Sequence, residues 1–302
     1  MQHAFAERKI KDFAAARRAS DPQMRFLRLL LWPLRKKATP RDANANPISA
    51  LTLEQYESVV PTVTLYDGTT PVSYCTPNAV TKVRADTFFS KEPDTIEWIR
   101  TFSPGEVLVD VGANVGMYTI WAAKTRGARV YAFEPESQNY AVLYRNIVMN
   151  DLVHLVTGYC AALSDEEKFS LLHLSLFQLG GSCHTFGEAQ GTNLQPRQSR
   201  YTQGCFSTSL DALVDRGVVP VPAHIKIDVD GLEHKVIAGC RETLADPRVK
   251  SVLVEINTNL AEHRAIIGEM GALGYSHSEQ QVAAAQRREG PFKGTGNYVF
   301  QR

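Results

Sequence analysis

Residues 107–116 read Val107-Leu108-Val109-Asp110-Val111-Gly112-Ala113-Asn114-Val115-Gly116. An apolar, β-branched run stopping at a glycine predicts a buried strand, and residues 116–126 beyond it have the pattern of a helix. Gly112 can take the positive φ of a tight turn. Asn114 is the non-glycine residue that best tolerates one, and Gly116 lets the helix start close to the sheet. Such a turn presents backbone N–H groups and a helix N-terminus at the carboxyl end of the sheet, where α/β folds bind ligands. The spacing is G-x-N-x-G behind an acid, not the dinucleotide pattern G-x-G-x-x-G. Asp110 would repel a pyrophosphate but pair with an ammonium group, which favours an amino-acid-bearing nucleoside over NAD.

Outward from this turn, strand and helix alternate. Arg129 to Phe133 predict a second buried strand, and Glu134 at its end lies 22 residues after Gly112, where an acid can accept hydrogen bonds from ribose hydroxyls. A helix from about Ser137 to Asn150, a strand starting at Val153 to Val156, a strand over 224–229 and a helix from Leu232 to Leu244 follow. Val252 to Ile256, a helix from about Leu260 to Leu273 and a last strand at Asn297 to Phe300 complete the series. Short apolar strands separated by helices imply βαβ units and a parallel sheet. Residues 165–206, rich in Gly, Ser, Thr and Gln, interrupt the alternation as an insertion of the kind that carries function. Before the sheet, 51–105 read as a β-hairpin around Asp67-Gly68 and a helix opened by Glu92-Pro93-Asp94. Residues 106–302 form the expected catalytic domain, and 1–50 an N-terminal extension and linker.

The 302 residues carry 33 Lys/Arg and 32 Asp/Glu, a formal charge of +1. That balance is unevenly spread. Residues 1–41 hold 11 basic against 3 acidic residues, leaving 22 against 29 in the rest. An acidic body lacks the electrostatic footprint of a nucleic-acid binder, so no nucleic-acid partner is expected. Residues 24–37, MRFLRLLLWPLRKK, mix apolar and basic residues in a stretch suited to a membrane interface, to docking, or to a homo-oligomer contact. No stretch is long and apolar enough to span a bilayer. The chain is therefore expected in the cytoplasm or at the inner face of the membrane. The five cysteines have no metal-like spacing and are expected to be buried free thiols.

DVGANVGMYT, then FEPESQN, ALSD, the IKIDVDGLE run and VLVEIN resemble, in order, the motifs of the FkbM family of S-adenosylmethionine-dependent methyltransferases. The resemblance covers roughly residues 60–300. It implies an α/β class I methyltransferase Rossmann-like fold: a seven-stranded, mostly parallel sheet with helices on both faces and an antiparallel last strand. The cofactor it implies is S-adenosyl-L-methionine. On this resemblance Asp110, Gly112, Asn114 and Gly116 surround the methionine moiety, with Tyr118 and Thr119 on the following helix. Glu134 holds the ribose, Pro135 and Asn139 stand near it, Ala162 and Leu163 flank the adenine, and Asp228 stands beside the reactive sulfonium. The family usually shows Glu where this sequence has Asp230.

Methyl transfer to a sugar hydroxyl needs an aligned acceptor and benefits from a base. Asp228 is the first candidate. Lys226, two residues away on the same strand face, could position or pair with it. His184, inside the insertion, is the most suggestive histidine. No metal is expected, because strand parity argues against one site shared by Asp228, Asp230, Glu233 and Glu255. The acceptor implied is a saccharide or glycoconjugate hydroxyl. A small-molecule natural product, an NAD-dependent oxidoreductase and an inert glycan-binding scaffold remain as alternatives.

Overall fold

The structure, a computed structural model, describes Thr52, Gln55 and residues 59–302. The chain divides into two units, Met1–Val59 and Val60–Arg302. The basic extension 1–50, including 24–37, lies outside the described residues. Among the described residues no helix is long and apolar enough to cross a membrane.

The second unit opens with the expected hairpin, β1 (Thr62–Asp67) and β2 (Thr70–Cys75), turning through Gly68 at φ +58. Three helices follow, α1 (Ala79–Asp86), α2 (Phe88–Lys91) and α3 (Pro93–Arg100). Then come β3 (Val107–Val111), α4 (Met117–Arg126), β4 (Arg129–Phe133), α5 (Ser137–Met149) and β5 (Val156–Tyr159). The insertion forms a sheet of its own from β6 (Ala162–Leu163), β7 (Lys168–Leu174), β8 (Thr185–Phe186) and β9 (Tyr201–Thr208), in the order β6-β9-β7-β8. The chain returns through α6 (Leu210–Asp215), β10 (His224–Ile227), α7 (Glu233–Ala238), α8 (Arg241–Ala245) and β11 (Ser251–Asn257). It closes with α9 (Ala261–Ala272), β12 (Ser276–His277), α10 (Glu279–Ala285) and β13 (Thr295–Gln301).

The main sheet has seven strands in the order β12-β13-β11-β10-β3-β4-β5. β11, β10, β3, β4 and β5 pair parallel, and β13 runs antiparallel to β11 and β12, as the resemblance implied. Successive strand residues enter two cores. Leu108, Val130 and Leu253 pack with Ile120, Trp121 and Ile147 on one face. Val109, Ile225, Val252 and Val254 pack with Val236, Ile237, Ile266 and Met270 on the other. A strand buried on both faces has no reason to alternate polar and apolar residues, which is why 107–109 and 252–254 are continuous apolar runs.

Three expectations change. The third strand begins at Val156, not Val153, because Asp151 turns the chain at φ +59 and residues 152–155 complete that turn. The helix expected from Leu232 to Leu244 breaks into α7 and α8. A Cβ on Gly239 would lie 2.0 Å from the Ser164 carbonyl oxygen, so the chain is pressed against the segment after β6. The Asp211 carboxylate then accepts from the Glu242 and Thr243 N–H groups and gives α8 its own start. All five thiols are free, but only Cys75, Cys205 and Cys240 are buried. Cys160, where the chain crosses between the two sheets, is exposed.

Candidate active site

The carboxyl ends of β3 and β10 lie side by side, with Asp110 opposite Lys226 in register. The Lys226 ammonium is 3.2 Å from Asp228 Oδ2 and 3.9 Å from Asp110 Oδ1, and it sits 5.4 Å from the Tyr118 ring centroid. It is almost fully buried. Burial disfavours its charge, but the Asp228, Asp110 and Glu92 carboxylates outweigh that and hold its pKa above the usual lysine value. Lys226 is therefore a fixed cation. Asp228 feels burial in the opposite direction, yet Lys226 and Lys91 hold it below the ordinary carboxylate range. Asp110 differs: burial dominates and raises its pKa, Thr119 donates to its Oδ2 at 2.5 Å, and its Oδ1 has no hydrogen-bond partner. Thr119, fully buried, thus orients Asp110 from beneath.

The turn follows as its sequence demands. Gly112, Asn114 and Gly116 have φ of +79, +52 and +82. A Cβ on Gly112 would come within 1.9 Å of the Asp228 carbonyl oxygen, so only glycine lets the turn lie against the end of β10. Residues 112–114 line a small cavity with Tyr118, Lys226, Asp228, Arg84, Lys91 and Glu92. A second cavity starts on the other side of Gly112, lined by Phe133, Pro135, Ala162, Leu163 and His184.

Part of the insertion is tied down beside the turn as a strap. Gly181 O accepts from the side chains of Asn114 (2.7 Å) and Asn139 (3.0 Å), Gly180 N donates to Asn139 Oδ1, and Arg84 Nε donates to Gly180 O at 2.9 Å. Glu134 lies under the strap, accepting from Asn114 N (2.7 Å) and Glu136 N (2.9 Å). Burial pushes its pKa up to about 7. The structure therefore joins Lys226, Asp228, Tyr118 and residues 112–114 in one cavity, with Asp110 buried beside Lys226, and places Ala162, Leu163 and Pro135 in the other. His184 belongs to that second cavity, away from Asp228. Its Nδ1 accepts from Ser175 N, and burial lowers its pKa.

Of the four acids weighed as a shared site, three gather and Asp230 does not. Asp228 leaves β10 one residue beyond the strand end, so strand parity does not govern it, and its oxygens come within 4.8 Å of those of Glu233 and Glu255. Glu233, in the first turn of α7, accepts from Val229 N and Gly231 N, and burial pushes its pKa to about 8. Burial also raises Glu255, which pairs with Arg287 at 3.2 Å. Asp230 turns away to accept from Cys183 N at 2.7 Å. Sequence reasoning took Glu92 only as a helix start. Its position against the motif cavity depends on how α2 and α3 pack, which nothing local to Glu92-Pro93 signals.

Residues 110–276 match the methyltransferase FkbM domain. The chain is 30% identical over 205 residues to 31-O-demethyl-FK506 methyltransferase FkbM of Streptomyces tacrolimicus, covering 60% of this chain and 75% of that one. It is 27% identical over 203 residues to methyltransferase sdnD of Sordaria araneosa, covering 59% and 76%. Among solved structures, precorrin-6y C5,15-methyltransferase from Geobacter metallireducens is 14% identical, with TM-score 0.41 over 76% of this chain and 93% of that one. The domain match spans more than half of the sequence and contains both the glycine turn and the Lys226–Asp228 strand end. NAD oxidoreduction and an inert scaffold both give way, and the chain belongs to the FkbM family of S-adenosylmethionine-dependent methyltransferases.

Proposed function

We propose that the acceptor is a hydroxyl of a saccharide or glycoconjugate and that Asp228 receives its proton. The observation that carries this reading is an ionised carboxylate, braced by a buried lysine, at the wall of the cavity that the glycine turn lines. An alcohol must lose its proton as its oxygen is methylated, so a positioned base serves this acceptor class directly.

The residues present fit S-adenosylmethionine. Asp110 Oδ1, which makes no hydrogen bond, is an acceptor suited to an ammonium group, Gly112 borders both cavities, and Ala162, Leu163 and Phe133 offer an apolar slot for a base. In this reading Asp110, Asn114 and Gly116 hold the methionine end, Glu134 the ribose, and Pro135, Ala162 and Leu163 the adenine. Asn139 acts through the strap it anchors. When bound, the cofactor supplies an electrophilic methyl on a sulfonium. Asp228 takes the hydroxyl proton as the oxygen–methyl bond forms, and the electron pair of the broken carbon–sulfur bond stays on sulfur. Lys226 keeps Asp228 ionised and aimed.

A natural-product hydroxyl is the second reading, favoured by the name of the 31-O-demethyl-FK506 relative. We also place the enzyme at an anionic membrane surface through residues 24–37. The test of the base is Asp228→Asn, which should lower labelled-methyl uptake about 10²–10⁴-fold while S-adenosylhomocysteine binds in calorimetry nearly as before. An undiminished rate would put the base elsewhere.

A further inference from the structure

A groove of about 820 Å³ runs beside the reactive cavity, walled by α3 and α10 and floored by β13. Lys91 and Glu92 line both spaces, so the groove adjoins the cavity of Asp228 at the end of α2. Glu92 is 5% exposed. Its Oε1 pairs with Lys91 at 2.8 Å and faces Arg287 at 3.9 Å, the Tyr118 hydroxyl neighbours the same carboxylate, and Oε2 makes no hydrogen bond of normal geometry. A buried acceptor left unmatched costs about 1–3 kcal/mol, and such groups in native proteins call for an explanation. Burial raises the Glu92 carboxyl, but the charges of Lys91 and Lys226 outweigh it, so the group is ionised at neutral pH. An ionised carboxylate only accepts hydrogen bonds. A molecule reaching it from the groove must therefore bring a donor. Other groove residues, Asp94, Gln281 and Asn297, are polar, and a groove of this size suits a ligand of one or more sugar rings.

We propose that this groove binds the methyl acceptor and that Glu92 Oε2 accepts from a hydroxyl adjacent to the one being methylated. The inference rests on the hydroxyl-acceptor reading above and adds the acceptor's place and its vicinal-diol character. Glu92 takes no proton; it fixes the ring so that the reacting hydroxyl faces Asp228.

The test uses the full chain with two variants, Glu92→Gln and Ala284→Trp, the second filling the groove from an exposed position remote from the cavity. The probes are methyl α-glucoside, methyl α-mannoside, methyl α-rhamnoside and trans-1,2-cyclohexanediol, followed by labelled-methyl uptake and by saturation-transfer NMR. Both variants should raise the acceptor KM tenfold or more and keep S-adenosylhomocysteine affinity within twofold. Deleting the neighbouring hydroxyl of the acceptor should weaken wild type but not weaken Glu92→Gln further. Unchanged KM in both variants overturns the groove assignment and leaves the hydroxyl reading standing. If wild type methylates only the cyclohexanediol, the saccharide reading falls and the same variants on that diol decide the groove. If wild type binds S-adenosylhomocysteine but none of the probes, both fall.

Discussion

Lys226 is the residue on which the site's electrostatics turn, because two acids, one fully and one largely buried, share its charge. Removing one partner of a buried ion pair costs about 3–5 kcal/mol, so Lys226→Met should lower the unfolding free energy extrapolated from urea titration by that amount. Adding Asp228→Asn should recover part of it, since the uncompensated charge is then gone. A single variant as stable as wild type would mean that the acids are already neutral. Glu134 carries a pH dependence of known sign. Its pKa rises from 4.5 to about 7 on folding, mainly by burial. Between those values the unfolded chain holds fewer protons than the folded one, so unfolding free energy falls as pH rises and levels off above about 7. If the ribose hydroxyls need the ionised carboxylate, S-adenosylhomocysteine affinity moves the other way. It should rise about tenfold per pH unit up to about 7 and then flatten, with one proton released on binding at pH 6. Calorimetry in buffers of different ionisation enthalpy reads both, and a flat affinity from pH 5.5 to 8 would remove Glu134 from the ribose contact.

At the scale of elements, the parallel strands and their turns were legible because each is encoded locally. A strand buried on both faces is a continuous apolar run, and the turn after β3 requires Gly112 and Asn114 where they stand. What depends on long-range packing was not legible. The break between α7 and α8 comes from Ser164 and Asp211, far away in sequence. His184 was taken as a candidate because the insertion should face substrate, and the structure places it in the cavity lined by Leu163. The strap itself makes a prediction. The two cavities that Gly112 borders hold only about 50 and 40 Å³, whereas a site for a ligand of this size needs roughly 300 Å³ or more. The expected route of entry is a lifting of residues 179–183, which Asn114, Asn139 and Arg84 hold down. Arg84→Met removes one charged hydrogen bond to Gly180 from a partly exposed position, a bond worth about 1.5–3 kcal/mol. Opening should become easier, and the association rate of S-adenosylhomocysteine in stopped flow should rise about tenfold. An unchanged rate would mean that the strap does not gate entry.

For the whole molecule, the formal charge of +1 conceals a segment and a body of opposite sign. The 11 basic residues against 3 acidic ones in 1–41 stand before a remainder with 22 against 29. The site named above draws on the acids of that remainder: Asp110, Asp228, Glu92, Glu134. None of its named residues comes from 1–41, so the basic segment and the cofactor site should be separable by truncation. Near an anionic surface each Lys or Arg contributes about 1 kcal/mol, whereas the acidic remainder is repelled. The full chain should therefore cosediment with phosphatidylserine-containing vesicles at low salt, and far less with pure phosphatidylcholine. Because exposed charges are screened beyond about 8 Å at physiological ionic strength, added salt should weaken this binding steeply unless Phe26, Leu29, Leu30 and Trp32 also insert. Deleting 1–41 should abolish vesicle binding and leave S-adenosylhomocysteine affinity unchanged. Vesicle binding that survives the deletion would place the membrane contact elsewhere. Loss of cofactor affinity with the deletion would make the segment part of the site.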